Sequence, residues 1–257
     1  LESVEALGFA LDVMLGAYAK VVVEDYELIH PIVILPRHAE SRPFVLEVFA
    51  GSGRLTRHLR AVGFDAWAVD WRGGRFEPET PAILFINLLA ADDQKVFARL
   101  LDHPNLKYVH FAPPCGTASR ARELRVDKYH HGPPQLRSEE YPLGLPTLGR
   151  DHPELVSRVE SANTLYIMTA NAGRILRGRK VPWSIENLRE SYLWWVPQMR
   201  ELIANRDVKF VIFAHCAYGG RRPKQTGLLH FPAGILDDLR AECPGVSASY
   251  THRSEEH

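Results

Sequence analysis

The chain has 257 residues, 46% hydrophobic and 24% charged, which is enough apolar surface for one sizeable core and excludes a wholly disordered chain. Lys+Arg and Asp+Glu each number 31, so the formal net charge is +0, and any attraction for a polyanion must be local. The three cysteines, Cys115, Cys216 and Cys243, lack CxxC spacing, which argues against a zinc ribbon or a disulfide framework. No stretch of 18 uninterrupted apolar residues and no signal-type N-terminus is present, so the expectation is a soluble, intracellular protein, nuclear if eukaryotic, without membrane or metal partners. A first residue of Leu1 rather than Met leads us to expect a longer parent polypeptide with other domains.

In chain order, "VEALGFALDVMLGAYAKVV" (4–22) has helical apolar spacing, and a short apolar piece at 32–35 follows, giving an N-terminal helical segment over 1–43. From 44 onward, short β-type runs alternate with helical ones. "FVLEVFA", "DAWAVD", "AILFINL" and "YVHFAP" read as strands; "LTRHLRAVG" and "DQKVFARLLDH" read as helices. After a Pro/Gly-rich insertion around 129–153, "LVSRVESANTLYIMTANAGRILR" predicts a long helix, "WSIEN" a strand, "VPQMRELIAN" a helix and "VKFVIFAH" a strand. Strands separated by helices pair in parallel, so the fold class is α/β, with at least six strands in a Rossmann-like, doubly wound, mostly parallel sheet and helices on both faces. Ligands in such sheets sit beyond the carboxyl ends of the strands.

The residues at those ends carry chemistry. "VFAGSG" places Gly51 and Gly53 between the first strand and its helix, where a ligand can approach the backbone; a plain turn is the alternative. Asp70 closes the next strand, roughly 20 residues on, where a carboxylate can accept from both ribose hydroxyls; turn capping is its alternative. The third glycine of GxGxxG is missing, which favours a smaller nucleoside cofactor over a dinucleotide. "APPCGTASR" presents Cys115 on a proline-stiffened loop with Thr117, Ser119, Arg120 and Arg122 beside it, cationic surroundings that favour thiolate; a buried free thiol is the bland alternative. "SIENL" places Glu186 and Asn187 at a later strand end, where "NLRE" also fits a helical capping box.

This order of motifs resembles the catalytic core of the cytosine-C5 DNA methyltransferases, from Phe49 to Asn187, and with it the class I methyltransferase fold. "VFAGSG" is similar to the family's cofactor loop, "VDW" to the residues that hold ribose and adenine, "PPC" to the nucleophile motif and "ENL" to the Glu-Asn-Val motif. Methylases of exocyclic amines carry an aromatic residue where Cys115 stands. The resemblance implies S-adenosyl-L-methionine bound at Phe49, Gly51, Ser52, Gly53, Asp70, Trp71 and Asn87, with Cys115 and Glu186 catalytic. It implies a nucleic-acid partner, DNA foremost and RNA as an alternative, whose cytosine meets Pro113, Pro114 and Asn187. Arg120, Arg122, Arg125 and Lys128 are candidates for backbone phosphates, a solvated loop being the alternative.

The sequence departs from the family in three places. "AYGGRRPKQT" stands where a Gln-x-Arg-x-Arg motif is expected, leaving Arg222 or Lys224 to substitute. Cys115 and Glu186 are about 70 residues apart because of the insertion, which reads as a lid or a substrate-reading loop. No target-recognition domain fits after Gln225, so a nucleic-acid-binding or scaffold module that has lost turnover is the competing reading. His215 and Cys216, adjacent but without further ligands at usable spacing, read as structural.

Overall fold

A computed structural model describes residues 42–74, 76–123, 132–220 and 224–243. The expected N-terminal helix at 4–22, the piece at 32–35, and Arg125, Lys128 and Arg222 lie outside these residues. The elements are β1 (Phe44–Val48), α1 (Arg54–Ala61), β2 (Ala66–Asp70), β3 (Ile83–Phe85), α2 (Ala91–Leu101) and β4 (Leu106–Phe111), then α3 (Leu148–Asp151), α4 (Pro153–Gly178), β5 (Trp183–Leu188), α5 (Pro197–Ile203), β6 (Lys209–Ala214) and β7 (Gln225–Phe231).

The seven strands form one mixed sheet in the order β3-β2-β1-β4-β5-β7-β6. The first five in that order pair in parallel, while β7 runs antiparallel to both β5 and β6. This is a doubly wound α/β architecture, mostly parallel as expected, with β7 a strand that the sequence pattern did not disclose. The expected strand over "AILFINL" shortens to Ile83–Phe85. The capping-box alternative for "NLRE" is not realised: Asn187 and Leu188 stay in β5, and the next helical turn starts at Tyr192, with Ser191 Oγ accepting from Leu193 N at 3.2 Å.

Alternate residues of each strand face opposite sides of the sheet. On one side Phe44, Leu46, Val48, Val109, Phe111, Trp183 and Ile185 pack against Phe97, Leu100, Tyr166, Leu176, Met199 and Leu202 of α2, α4 and α5. The other side is covered by α1, through Leu59 on Val45, Ala66 and Tyr108, and by Leu236 and Leu239 on Val211 and Leu228. Phe49 and Gly51 follow β1, Asp70 closes β2, Asn87 follows β3, Cys115 follows β4 and Glu186 lies near the end of β5, so these candidate residues share the carboxyl end of the parallel strands.

Candidate active site

The glycine loop begins where β1 ends. Phe49 has φ 61°, Gly51 φ 59° and Gly53 φ 69°, so three residues in five adopt left-handed backbone and turn the chain sharply before α1. Holding a non-glycine residue such as Phe49 there costs on the order of 1–3 kcal/mol, a strain typical of ligand-binding loops. Gly53 has no alternative, because a Cβ on it would lie 2.7 Å from Thr80 Cγ2. Behind the loop, Glu47 Oε2 accepts from Thr56 N at 2.7 Å and Thr56 Oγ1 at 2.6 Å, placing a carboxylate at the first turn of α1, where the helix dipole favours it. Burial pushes the Glu47 carboxyl up, and the Thr56 bonds oppose that shift.

Asp70, at the end of β2, reaches back into this loop. Its Oδ2 accepts from Gly51 N at 2.5 Å and its Oδ1 from Trp71 N at 2.7 Å. Burial raises its pKa, with the two backbone bonds opposing. The carboxylate therefore pins the glycine turn to β2 and keeps one further lone pair on each oxygen for a ligand hydroxyl. After β3, Asn87 Oδ1 accepts from Leu89 N at 3.1 Å while Asn87 N donates to Asp93 Oδ2 at 2.6 Å. Phe49, Asp70, Trp71 and Asn87 converge, with Val69, Ile86, Leu88, Leu89 and Leu165, on a cleft of about 260 Å³. Gly51, Ser52 and Gly53 do not line it; Ser52 O accepts from Glu79 N at 2.7 Å. Apolar walls with a carboxylate and an amide at the rim suit the flat base and the hydroxyls of a nucleoside, so the residues present fit the cofactor expected from sequence.

The loop bearing Cys115 follows β4. Asn187 Nδ2 donates to Pro113 O at 2.9 Å and Tyr166 Oη to Pro114 O at 2.6 Å, so the two carbonyls flanking the turn are fixed by β5 and α4. Cys115 emerges exposed from this frame as a free thiol. Thr117, two residues on, is buried, and its O and Oγ1 accept from Arg137 Nε at 3.2 Å and Nη2 at 3.0 Å. Arg137 is 0% exposed and donates further to Pro142 O at 2.5 Å, Asn163 Oδ1 at 2.6 Å and Val159 O at 3.2 Å, with its guanidinium 5.2 Å from the Tyr166 ring centre. Burial lowers its pKa. Sequence reasoning missed Arg137; its place in a Pro/Gly-rich segment gave no signal of burial. Through it, and through Leu136 and Leu148 packed on Val159, the described part of the insertion is docked onto α4 beside the thiol.

The carboxylate sits on the next strand. Glu186 Oε1 lies 3.3 Å from Lys224 Nζ, whose ammonium is a point charge rather than an arginine's fork. The β4–β5 register sets His110 opposite Ser184, two residues before Glu186 and on the same face. Ser184 Oγ accepts from Tyr108 Oη at 2.6 Å and bonds His110 Nδ1 at 2.8 Å, while His215 Nε2 bonds Thr226 Oγ1 at 2.8 Å. Burial lowers the pKa of both histidines, Lys224 adds to this at His215, and Glu186 opposes it at both. Cys216 is buried, next to this His215 contact.

Arg120 and Arg122, predicted to meet phosphate, are largely engaged within the protein. Arg120 pairs with Glu139, donates to Glu190 O at 3.2 Å and lies over the Tyr192 ring. Arg122 donates to Gly116 O at 2.9 Å and Pro134 O at 3.2 Å, bracing the loop that bears Cys115.

No family model and no curated protein matches the chain. Among solved structures, it is similar to the Entamoeba histolytica methyltransferase EhMeth, with 11% identity, 80% of this chain and 58% of that chain covered, and a TM-score of 0.41. A mutant of DNMT2 from Spodoptera frugiperda gives 12% identity, 79% and 56% coverage, and a TM-score of 0.34. The chain thus spans a little over half the length of each.

Proposed function

We propose that the chain is an S-adenosyl-L-methionine-dependent methyltransferase that methylates C5 of cytosine in DNA through a covalent Cys115 adduct. The observation that carries this reading is the Asn187-to-Pro113 hydrogen bond. It fastens the strand end bearing Glu186 to the loop bearing Cys115, one strand away from a nucleoside-shaped cleft. A thiol, a carboxylate and a cleft at adjacent strand ends form an arrangement that an amine methylase, which needs an aromatic residue to stack on the base, has no use for.

The ring carbon C5 of cytosine is a poor nucleophile until an electron pair is pushed into the ring. The Cys115 thiolate supplies that pair by forming a bond to C6. Glu186 donates or holds a proton at N3, which takes up the charge the addition creates, and Lys224 keeps the Glu186 side chain oriented. The cofactor, when bound, supplies an electrophilic methyl group on its sulfonium. Loss of the C5 proton to a base then returns the electron pair, breaks the S–C6 bond and releases the thiolate. Phe49, Asp70, Trp71 and Asn87 hold the cofactor's nucleoside part, and the cytosine must leave its stack to reach Cys115.

The test is a duplex carrying 5-fluorocytosine, whose C5 fluorine cannot leave as a proton, incubated with labelled cofactor. A covalent complex stable to denaturation is expected with the native chain and none with Cys115→Ser. If neither DNA nor RNA yields an adduct while cofactor binds normally, the catalytic reading is wrong and the scaffold reading replaces it. Cofactor binding has its own check: Asp70→Ala should weaken affinity by about 1–3 kcal/mol in calorimetric titration, through the lost hydroxyl bonds and the loosened Gly51 turn. An unchanged dissociation constant would remove Asp70 from the cofactor site.

A further inference from the structure

Arg158, on the first turns of α4, was not singled out by any motif, yet it reaches the nucleophile loop. A Cβ built on Gly116 would lie 3.0 Å from Arg158 Nη2, so the guanidinium occupies the space that a side chain after Cys115 would fill. Arg122 Nε donates to the same residue's carbonyl, Gly116 O, at 2.9 Å. Two guanidinium groups therefore meet at a single residue, and Pro114, Cys115, Gly116 and Arg158 are all exposed.

Like charges brought this close are unfavourable unless something negative joins them. Among the described residues no carboxylate does. Glu154, one helical turn before Arg158 and its natural i,i+4 partner, lies instead 3.7 Å from His152 Nδ1. Glu139 is paired with Arg120, and Glu123 accepts from Tyr192 Oη. Burial, and after it the positive charge of Arg158, lowers the pKa of Arg122, as expected for two cations without an anion between them. Arg122 is tied down by two carbonyls, and the absence of a side chain on Gly116 leaves room for Arg158 Nη2 beside it.

We infer that Arg158 and Arg122 form a phosphate-binding clamp beside Cys115, which holds a backbone phosphate of the nucleic acid next to the extruded base. The inference rests on the proposed function for the identity of the polymer and adds the residues that grip it. Arg158 presents its fork to phosphate oxygens, while Arg122, whose Nε and Nη1 are engaged, adds its charge and Nη2; a chain of zero net charge needs such a local site to hold a polyanion.

The experiment measures binding of a short 5-fluorocytosine duplex between about 50 and 200 mM salt, without cofactor, for the native chain, Arg158→Ala, and Arg174→Ala near the other end of α4. Arg158→Ala should lower affinity several-fold and reduce the slope of log affinity against log salt by about 0.9, the value for one lost phosphate contact. Arg174→Ala should leave both unchanged. Cofactor affinity of Arg158→Ala, measured alongside, reports whether the fold is intact. An unchanged slope, an equal loss in Arg174→Ala, or no duplex binding by the native chain overturns the clamp. A lower adduct rate at an unchanged slope also overturns it, since the guanidinium would then act on thiol or base rather than phosphate. Adduct formation by the native chain separates the two ideas: an adduct with an unchanged slope sinks the clamp alone, and a reduced slope with no adduct sinks only the C5 chemistry.

Discussion

Arg137→Met is expected to destabilise the folded chain by about 3–5 kcal/mol, read as a lowered denaturation midpoint. The guanidinium is 0% exposed and supplies five hydrogen bonds, to two Thr117 oxygens, Pro142 O, Val159 O and Asn163 Oδ1. Methionine fills similar space without any donor. It would leave these buried acceptors unsatisfied, each such loss worth about 1–3 kcal/mol before water re-enters. Thr117→Val provides the calibration: it removes a single acceptor and should cost only about 1 kcal/mol. A loss for Arg137→Met no larger than that for Thr117→Val would mean that the segment around 132–152 rearranges freely and does not brace the thiol loop.

Glu186→Gln should leave cofactor affinity and stability nearly unchanged while slowing adduct formation and methyl transfer by about 10²–10⁴-fold, the usual contribution of a positioned general acid or base. The amide keeps the shape of the side chain and an oxygen for Lys224, 3.3 Å away in the native chain, but has no proton to exchange with N3. Single-turnover assays with saturating cofactor isolate this step. A rate within a few-fold of the native one would take Glu186 out of the chemistry. Lys224→Met should have a smaller effect in the same assay, because it disturbs the orientation of the carboxylate and spares its function.

Most of the sheet was legible in the sequence because each parallel strand announces itself as a short apolar run between helical periods. The candidate residues at the ends of β1, β2, β4 and β5 could be placed there from sequence, since glycine, proline and acidic residues punctuate those runs at the strand ends. β7 escaped for a physical reason. In "QTGLLHF" a glycine interrupts the run, and that glycine is demanded by a contact remote in sequence: a Cβ on Gly227 would lie 2.3 Å from Phe210 Cζ on β6. Arg137 escaped because arginine is ordinarily a surface residue, and only the folded insertion shows the carbonyls that make its burial tolerable. Asn187 taken alone read rather as part of a helix start; its hydrogen-bond partner in the fold, Pro113 O, is 74 residues away. Arg120 and Arg122 were legible as cations but not as braces, since their carbonyl and carboxylate partners come from other segments.

The direction of β7 has a topological consequence. A parallel strand contributes its exit to the reactive edge and hides its entry at the far side of the sheet. β7 runs the other way, pairing Asn187 with Gly227 and Leu188 with Thr226, so its entry arrives at that edge, and Lys224, immediately before it, is delivered to Glu186. That end of the sheet thus receives a charged side chain from a connection that arises outside the βα repeat.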